Sequence, residues 1–596
     1  MIIKNRNVCK GVARNALTVG TRLTVSLRLT SVCLLVLSLF VSCTFNTEPA
    51  WLELSLASSP STSVFAPANN SPSLLHTVLA ISRAEKDPRI RGIVLNTAGW
   101  TSNRSDLWEL RQSLASFKKT GKSIVAYTDY FNFDLYALLS VANRIVMSEM
   151  GQGSIEGYAI GFGYIKGLLD KLGIGVRELR YYEYKSAYES YTRSKMSQDN
   201  AVQYGAYLDD IFNTTKLAML ERKAISEKQF DNLLDKNFMF TASQAKTYGL
   251  VDTLGDVDAV SEEITALEGR PIQRFAIFGN KERSLYSGRS YRAQQGGLRL
   301  RPAKIAVVNA TGNVDYAQGM NTNKLSDIIY TLADSNTVRA IVLRIDSPGG
   351  SADAAEYLAK ALDYAKEKKP VIVSMAGTAA SGGYWIAANT NHIFATPYTL
   401  TGSIGVIGAW FYDKGLNKTL GLGVDFLKRG KHSDLGMGMI LPARDMTAEE
   451  ETRYKMLIND VYAGFITRVS NGRQMDFDEV KKKAEGRVYS GLDAEDAGLV
   501  DSIGGIHDAI NLALKYSWLP GNTNPVIDEY PKPERNPFRR YMSLFTNTDT
   551  RLTDTTITNS TITDTSISDI AGILQFYISN NGRPLAILPL EEQNNE

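Results

Sequence analysis

The chain is 596 residues long, too long for one hydrophobic core, so about two to four domains are expected. Its 44% hydrophobic and 22% charged residues are those of a globular protein and exclude a disordered chain. The net charge of only +3 gives no reason to expect nucleic acid as a partner.

The N-terminal segment, 1–47, reads as a signal or membrane anchor. Residues 1–28 contain Lys4, Arg6, Lys10, Arg14, Arg22 and Arg28 and no acid, and the uncharged run Leu29 to Thr47 follows. A basic stretch before an apolar one is an export signal or a single anchor, with the N-terminus cytoplasmic and the body outside. Cys9, Cys33 and Cys43 are the chain's three cysteines, and all lie here. The body therefore has no disulfide, no metal-thiolate site and no thiol nucleophile. Leu39-Phe40-Val41-Ser42-Cys43 looks like a lipoprotein cleavage box, with Phe40 where Leu is usual. An uncleaved anchor is the other reading, and both put the body on a membrane surface.

Beyond residue 47 the chain repeats itself. Arg91-Gly92-Ile93-Val94-Leu95 matches Arg339-Ala340-Ile341-Val342-Leu343, and Gly249-Leu250-Val251-Asp252 matches Gly498-Leu499-Val500-Asp501. A near-constant offset means two homologous domains, here 48–265 and 304–520. Each starts with a helix (Leu74–Lys86; Leu325–Asp334). A strand follows (Ile90–Asn96; Val338–Asp346), then a turn, an amphipathic helix (Asp106–Lys119; Ala352–Lys368) and another strand (Ser123–Tyr127; Val371–Met375). Repeated βα units predict an α/β fold with a buried parallel sheet. The Arg- and Gly-rich stretch within 266–303 reads as a solvated linker. The tail, 521–596, is Pro-rich and then a low-complexity Thr, Asp, Ile and Ser run over Thr546 to Asp569, read as a flexible linker. Its last apolar patch, Leu585 to Leu590, is expected to dock back on the body.

The chemistry centres on Val371 to Tyr412, which holds no Asp, Glu, Lys or Arg. Gly and Pro interrupt it too often for a membrane span. At its centre, Ala380-Ser381-Gly382-Gly383-Tyr384 puts a serine at a Gly-flanked strand-to-helix turn, a place suited to a nucleophile. Ser347-Pro348-Gly349-Gly350-Ser351 ends the preceding strand as a turn that exposes backbone N–H groups. The N–H groups of Gly350 and Gly382 are the candidate oxyanion donors. In the first half Gly99-Trp100-Thr101-Ser102 replaces that turn, and Ser381 maps to Phe133 or Asp134, so the first half has no nucleophile. Two bases are open. His432, with Asp434 to orient it, would complete a triad. Lys185 in Tyr184-Lys185-Ser186-Ala187 would act as a lysine kept neutral by burial, and it maps onto Ser433 of the second half. His392 is read as structural.

Together, Ser347-Pro348-Gly349-Gly350, Ala380-Ser381-Gly382-Gly383-Tyr384, Thr401-Gly402-Ser403-Ile404-Gly405-Val406 and Tyr184-Lys185-Ser186-Ala187 resemble the long bacterial form of the signal peptide peptidase A (protease IV) family. The resemblance covers about residues 74–515. It implies a tandem of two ClpP/crotonase-like domains, with Ser381 as nucleophile, Lys185 as general base, Gly350 and Gly382 as oxyanion donors and Ser403 as a partner of the lysine. It also implies no cofactor or metal. The expected assembly is a homotetramer at the bacterial inner membrane, its body on the extracytoplasmic side, cleaving hydrophobic peptides such as residual signal peptides. Two other functions share parts of this pattern: a crotonase-type acyl-CoA enzyme, and an inactive membrane scaffold or chaperone.

Overall fold

The computed structural model describes residues 50–56, 73–100, 102–270, 275–277, 303–519, 525–532 and 585–587. The signal or anchor segment, the three cysteines, most of the Arg-rich linker and the Thr-rich run lie outside them. Among the described residues no helix is long and apolar enough to cross a membrane.

The first half contains β1 (Ala50–Ser55), α1 (Leu74–Lys86), β2 (Ile90–Asn96), α2 (Arg104–Lys119), β3 (Ser123–Phe131), α3 (Phe133–Leu139) and β4 (Arg144–Ser154). Then come β5 (Ile174–Leu179), α4 (Gln198–Leu220), β6 (Met239–Thr241), β7 (Thr253–Leu254), α5 (Val257–Glu268) and β8 (Phe275–Ile277). The second half contains β9 (Lys304–Thr311), α6 (Thr322–Asp334), β10 (Val338–Ser347), β11 (Gly349–Ser351), α7 (Ala352–Lys368), β12 (Val371–Ala380), α8 (Gly382–Ala387), β13 (His392–Ala395) and β14 (Leu400–Gly402). It continues with β15 (Gly408–Asp413), α9 (Ala448–Arg473), β16 (Val488–Tyr489), β17 (Ser502–Ile503), α10 (Ile506–Tyr516), β18 (Val526–Tyr530) and β19 (Leu585–Ile587).

The repeat in sequence is a repeat in topology. One sheet runs β6-β4-β3-β2-β1-β8, with β7 on β4. The other runs β16-β14-β12-β10-β9-β18, with β13 between β12 and β17. In both, the central pairs are parallel (β2–β3 and β3–β4; β9–β10 and β10–β12). Their apolar runs are explained by cover on both faces. On β10, Ile341, Leu343 and Ile345 enter one buried cluster with α7, α8 and α9. Ala340 and Val342 enter another with α10 and with Leu75 of α1. Alternate residues thus serve opposite faces of one sheet.

The repeated Gly-Leu-Val-Asp is a pin. Asp252 accepts the Ile145 N–H of β4 at 2.7 Å, and Asp501 accepts the Ile393 N–H of β13 at 2.8 Å. Each Asp is gripped by an arginine, Arg222 or Arg473. In each half a buried tyrosine hydroxyl, Tyr136 or Tyr384, donates to the carbonyl of the motif's leucine, Leu250 or Leu499.

Three local expectations are corrected. β12 continues past Met375 to Ala380, because Thr378, Ala379 and Ala380 pair with Leu400, Thr401 and Gly402 of β14. Small residues read as a turn are here chosen for close packing. Gly349–Ser351 is a short strand rather than a bare turn. Helix α6 starts at Thr322, where Asn321 caps it by accepting the Lys324 N–H.

The halves join through α2 and through β5. Arg344 of β10 is buried against Glu109 at 2.6 Å and Asp106 at 3.3 Å, both on α2. Burial raises the Asp106 carboxyl to about 6 despite the Arg344 charge. β5 pairs antiparallel with β15, Leu179 opposite Gly408 through Ile174 opposite Asp413. This two-stranded ribbon leads the first-half chain toward residue 185, beside the second sheet.

Candidate active site

Ser381 follows the last residue of β12 and stands at the N-cap of α8. Its φ of 54° and ψ of −112° are strained for a residue with a Cβ. Two backbone bonds hold it there. Its N–H donates to Gly402 O at 2.9 Å, and its carbonyl accepts from Trp385 N at 2.8 Å. Gly383 allows the tight approach, since a Cβ there would meet Ser347 O at 3.0 Å.

Lys185 arrives from the first half. Its Nζ lies 2.6 Å from Ser381 Oγ, 2.8 Å from Ser403 Oγ and 2.9 Å from Ser403 O. Ser381 is 0% and Lys185 1% exposed. Burial holds the lysine well below its ordinary pKa. A neutral amine has two N–H groups and one lone pair. With the N–H groups donated to Ser403 O and Ser403 Oγ, the lone pair faces the Ser381 hydroxyl. That arrangement can remove a proton from Ser381.

The lysine's channel joins Ser403 and Gly405 of the Thr401–Val406 motif to residues that local motif reading does not single out. A Cβ on Gly486, which has φ +81°, would lie 2.5 Å from Lys185 Cβ, and one on Gly405 would lie 3.3 Å from Lys185 Cδ. Ser403 also has a positive φ, 48°, and its N–H donates to Arg487 O at 2.7 Å. On α4, Gln203 donates to Tyr184 O at 3.0 Å and accepts the Val488 N–H at 3.0 Å. It ties the lysine's loop to the strand beside Ser403. Ser186 donates to Asn200 Oδ1 at 2.7 Å. A signal for Gln203 and Asn200 exists in sequence only as polar residues on a helix, and for Gly486 only as a glycine in a charged stretch.

Gly350 lies on β11, where a Cβ would meet Val314 O at 2.3 Å. With φ +155° as well, only glycine fits here. Gly382 is the first residue of α8, beside Ser381.

The rival base is engaged elsewhere. His432 Nδ1 is 2.8 Å from Glu450 Oε1, and its expected partner Asp434 is held by Arg444 and Lys428. His392 stands on β13, where burial lowers its pKa. In the first half, the residue at the Ser381 place is Asn132 rather than Phe133 or Asp134. Phe131 pairs with Gly153 as Ala380 pairs with Gly402, and Asn132 occupies the N-cap position of α3 as Ser381 occupies that of α8. Asn132 Oδ1 accepts the Leu135 N–H at 2.9 Å and serves the helix. Asp134 is tied to Arg104 and Tyr158.

The model of peptidase family S49 matches residues 116–269 and 363–519, one stretch in each half, and a Clp protease model matches 305–400. Protease 4 of Haemophilus influenzae is 31% identical over 456 residues, 74% of this chain and 72% of that protein. The chloroplastic serine protease SPPA of Arabidopsis thaliana is 28% identical over 460 residues, 76% of this chain and 67% of that protein. A protein of Enterococcus faecium named as a putative signal peptide peptidase SppA is 36% identical over 202 residues, 33% of this chain and 56% of its own length.

Proposed function

Since the chain belongs to peptidase family S49 and is a serine peptidase with a tandem ClpP-like fold, we propose that its reaction is run by Ser381 and Lys185, one from each half. The observation that carries this is the buried contact of 2.6 Å between Lys185 Nζ and Ser381 Oγ. Neutral Lys185 takes the Ser381 proton as Oγ attacks the scissile carbonyl. The oxyanion is held between the N–H groups of Gly350 and Gly382. Lys185, now protonated, gives its proton to the leaving amine, and a peptidyl ester remains on Ser381. Lys185 then takes a proton from water, which attacks the ester and frees the enzyme. Ser403 keeps the amine aimed throughout.

The substrates in this reading are apolar peptides, residual signal peptides among them, met at a membrane surface by a homotetramer. The absence of charge from Val371 to Tyr412, on either side of Ser381, supports the apolar preference, and the basic, then apolar N-terminal segment supports the location on the outer side of a bacterial inner membrane. The test is a peptide panel assayed with wild type and Ser381→Ala. Cleavage beside apolar residues, lost in Ser381→Ala, is the expected result. Preferred cleavage beside charged residues would refute the substrate class, and hydrolysis by Ser381→Ala would refute the site.

A further inference from the structure

The backbone of the lysine's loop is gripped from two sides. Gln203 donates to Tyr184 O. The carbonyls before and after it, Glu183 O and Lys185 O, both face Arg180, whose Nη1 lies 3.3 Å from the first and 3.1 Å from the second. Arg180 directly follows β5, the strand that joins the halves. The guanidinium is itself held in place. Its Nη1 and Nη2 each lie 3.3 Å from Glu189 Oε1, and its Nε lies 3.4 Å from Glu178 Oε2. The Arg180 side chain is 16% and the Glu189 side chain 2% exposed. Arg193, nearer to solvent, lies 3.5 Å from the same Glu189 oxygen. The other Glu189 oxygen accepts the Ser197 N–H at 3.3 Å, and Ser197 caps α4, the helix that carries Asn200 and Gln203.

We propose that Arg180, backed by buried Glu189, is the positioning residue of the Lys185 base: it fixes the backbone on both sides of Tyr184 so that the amine meets Ser381 in a channel closed to water. The side chain of lysine is long and flexible, so its reach to Ser381 Oγ depends on where its backbone is anchored. A loosened loop has two consequences. The amine leaves its line to Oγ, and water enters the channel and solvates the ammonium form again. A guanidinium suits the task because its rigid planar fork serves two carbonyls and a carboxylate at once, whereas an ammonium is a point charge. The inference rests on the assignment of Lys185 as the base of Ser381.

The test uses the full chain in three variants, Arg180→Lys, Arg180→Met/Glu189→Leu and Lys185→Ala. Arg180→Lys keeps the charge beside Glu189 and loses the fork. The double variant removes both members of the buried pair, so no unpaired charge is left to unfold it, and a cooperative melt checks that. In both, kcat for an apolar peptide should fall by about 10-fold to 10²-fold with KM little changed, the mark of a displaced base. The pH midpoint of fluorophosphonate labelling at Ser381 should rise from the wild-type value toward the ordinary lysine value of 10.5, a shift that lost stability alone does not give. A wild-type midpoint in the folded double variant, or wild-type kcat in Arg180→Lys, overturns the proposal while slow labelling of Lys185→Ala leaves the base assignment standing. Labelling of Lys185→Ala at the wild-type rate overturns the base assignment and the proposal with it.

Discussion

A lysine this deeply buried is costly unless it sheds its proton, and Lys185 is surrounded by oxygens of Ser381 and Ser403 that suit a neutral amine. A depressed folded-state pKa has a definite sign in stability. The unfolded chain binds the proton more readily, so the wild type gains stability as pH rises toward the ordinary lysine value of 10.5. Lys185→Met lacks that gain. Its melting temperature relative to wild type should therefore drop as pH rises toward 10, a trend that a surface lysine would not give. Gly486→Ala tests the channel. With φ +81° and a Cβ contact of 2.5 Å to Lys185 Cβ, alanine must push the lysine aside. We expect kcat to fall by about 10²-fold, the cost of a roughly 1 Å misplacement, with KM little changed. Ser381 and Lys185 were legible because each sits in a compact local motif. Gly486 and Gln203 were not, because their constraint comes from contact with residues far away in the chain.

At the scale of elements, the two halves use one device twice. Each Gly-Leu-Val-Asp ends a helix-rich segment and returns its Asp to the backbone of a sheet strand, β4 or β13. Burial alone would push the Asp501 carboxyl up, but the Arg473 hydrogen bonds prevail and hold it below the ordinary value. Asp501→Ala leaves the Ile393 N–H and Arg473 without their partner. Urea unfolding should show a loss of about 1–3 kcal/mol, and Asp252→Ala should behave alike. A loss below a few tenths in both would mean that the motif does not pin the strands. The order of strands and helices was readable from apolar runs and the repeat offset, since buried parallel strands announce themselves. The length of β12 and the strand character of Gly349–Ser351 were hidden, because Ala, Gly and Ser carry turn-like propensities that tertiary packing overrides. The same weakness misplaced the Ser381 equivalent. One gap in a small-residue stretch cannot be assigned by propensity, whereas the pairing of Phe131 with Gly153 fixes it at Asn132.

In the whole molecule, duplication has been followed by division of labour. One half keeps the serine and its glycines, and the other keeps the lysine. β5 on β15, Gln203 on Val488 and Arg344 on Glu109 bring them together within a single chain. Separately purified Ser381→Ala and Lys185→Ala chains, mixed and co-refolded, should therefore stay inactive, because no wild-type pair is made between chains. Recovery of hydrolysis would show the site to be shared by neighbours. Lys185→Ala/Ser433→Lys should also stay inactive, since Ser433 is exposed and donates to Gly430 O. The central claim is that Lys185 activates Ser381, and the direct measurement is the rate of fluorophosphonate labelling at Ser381 against pH. The wild-type rate should rise with pH through a midpoint well below 10.5, stay the same in His432→Ala, and fall by about 10³-fold in Lys185→Ala. Labelling of Lys185→Ala at the wild-type rate, or loss of the pH limb in His432→Ala, would contradict it.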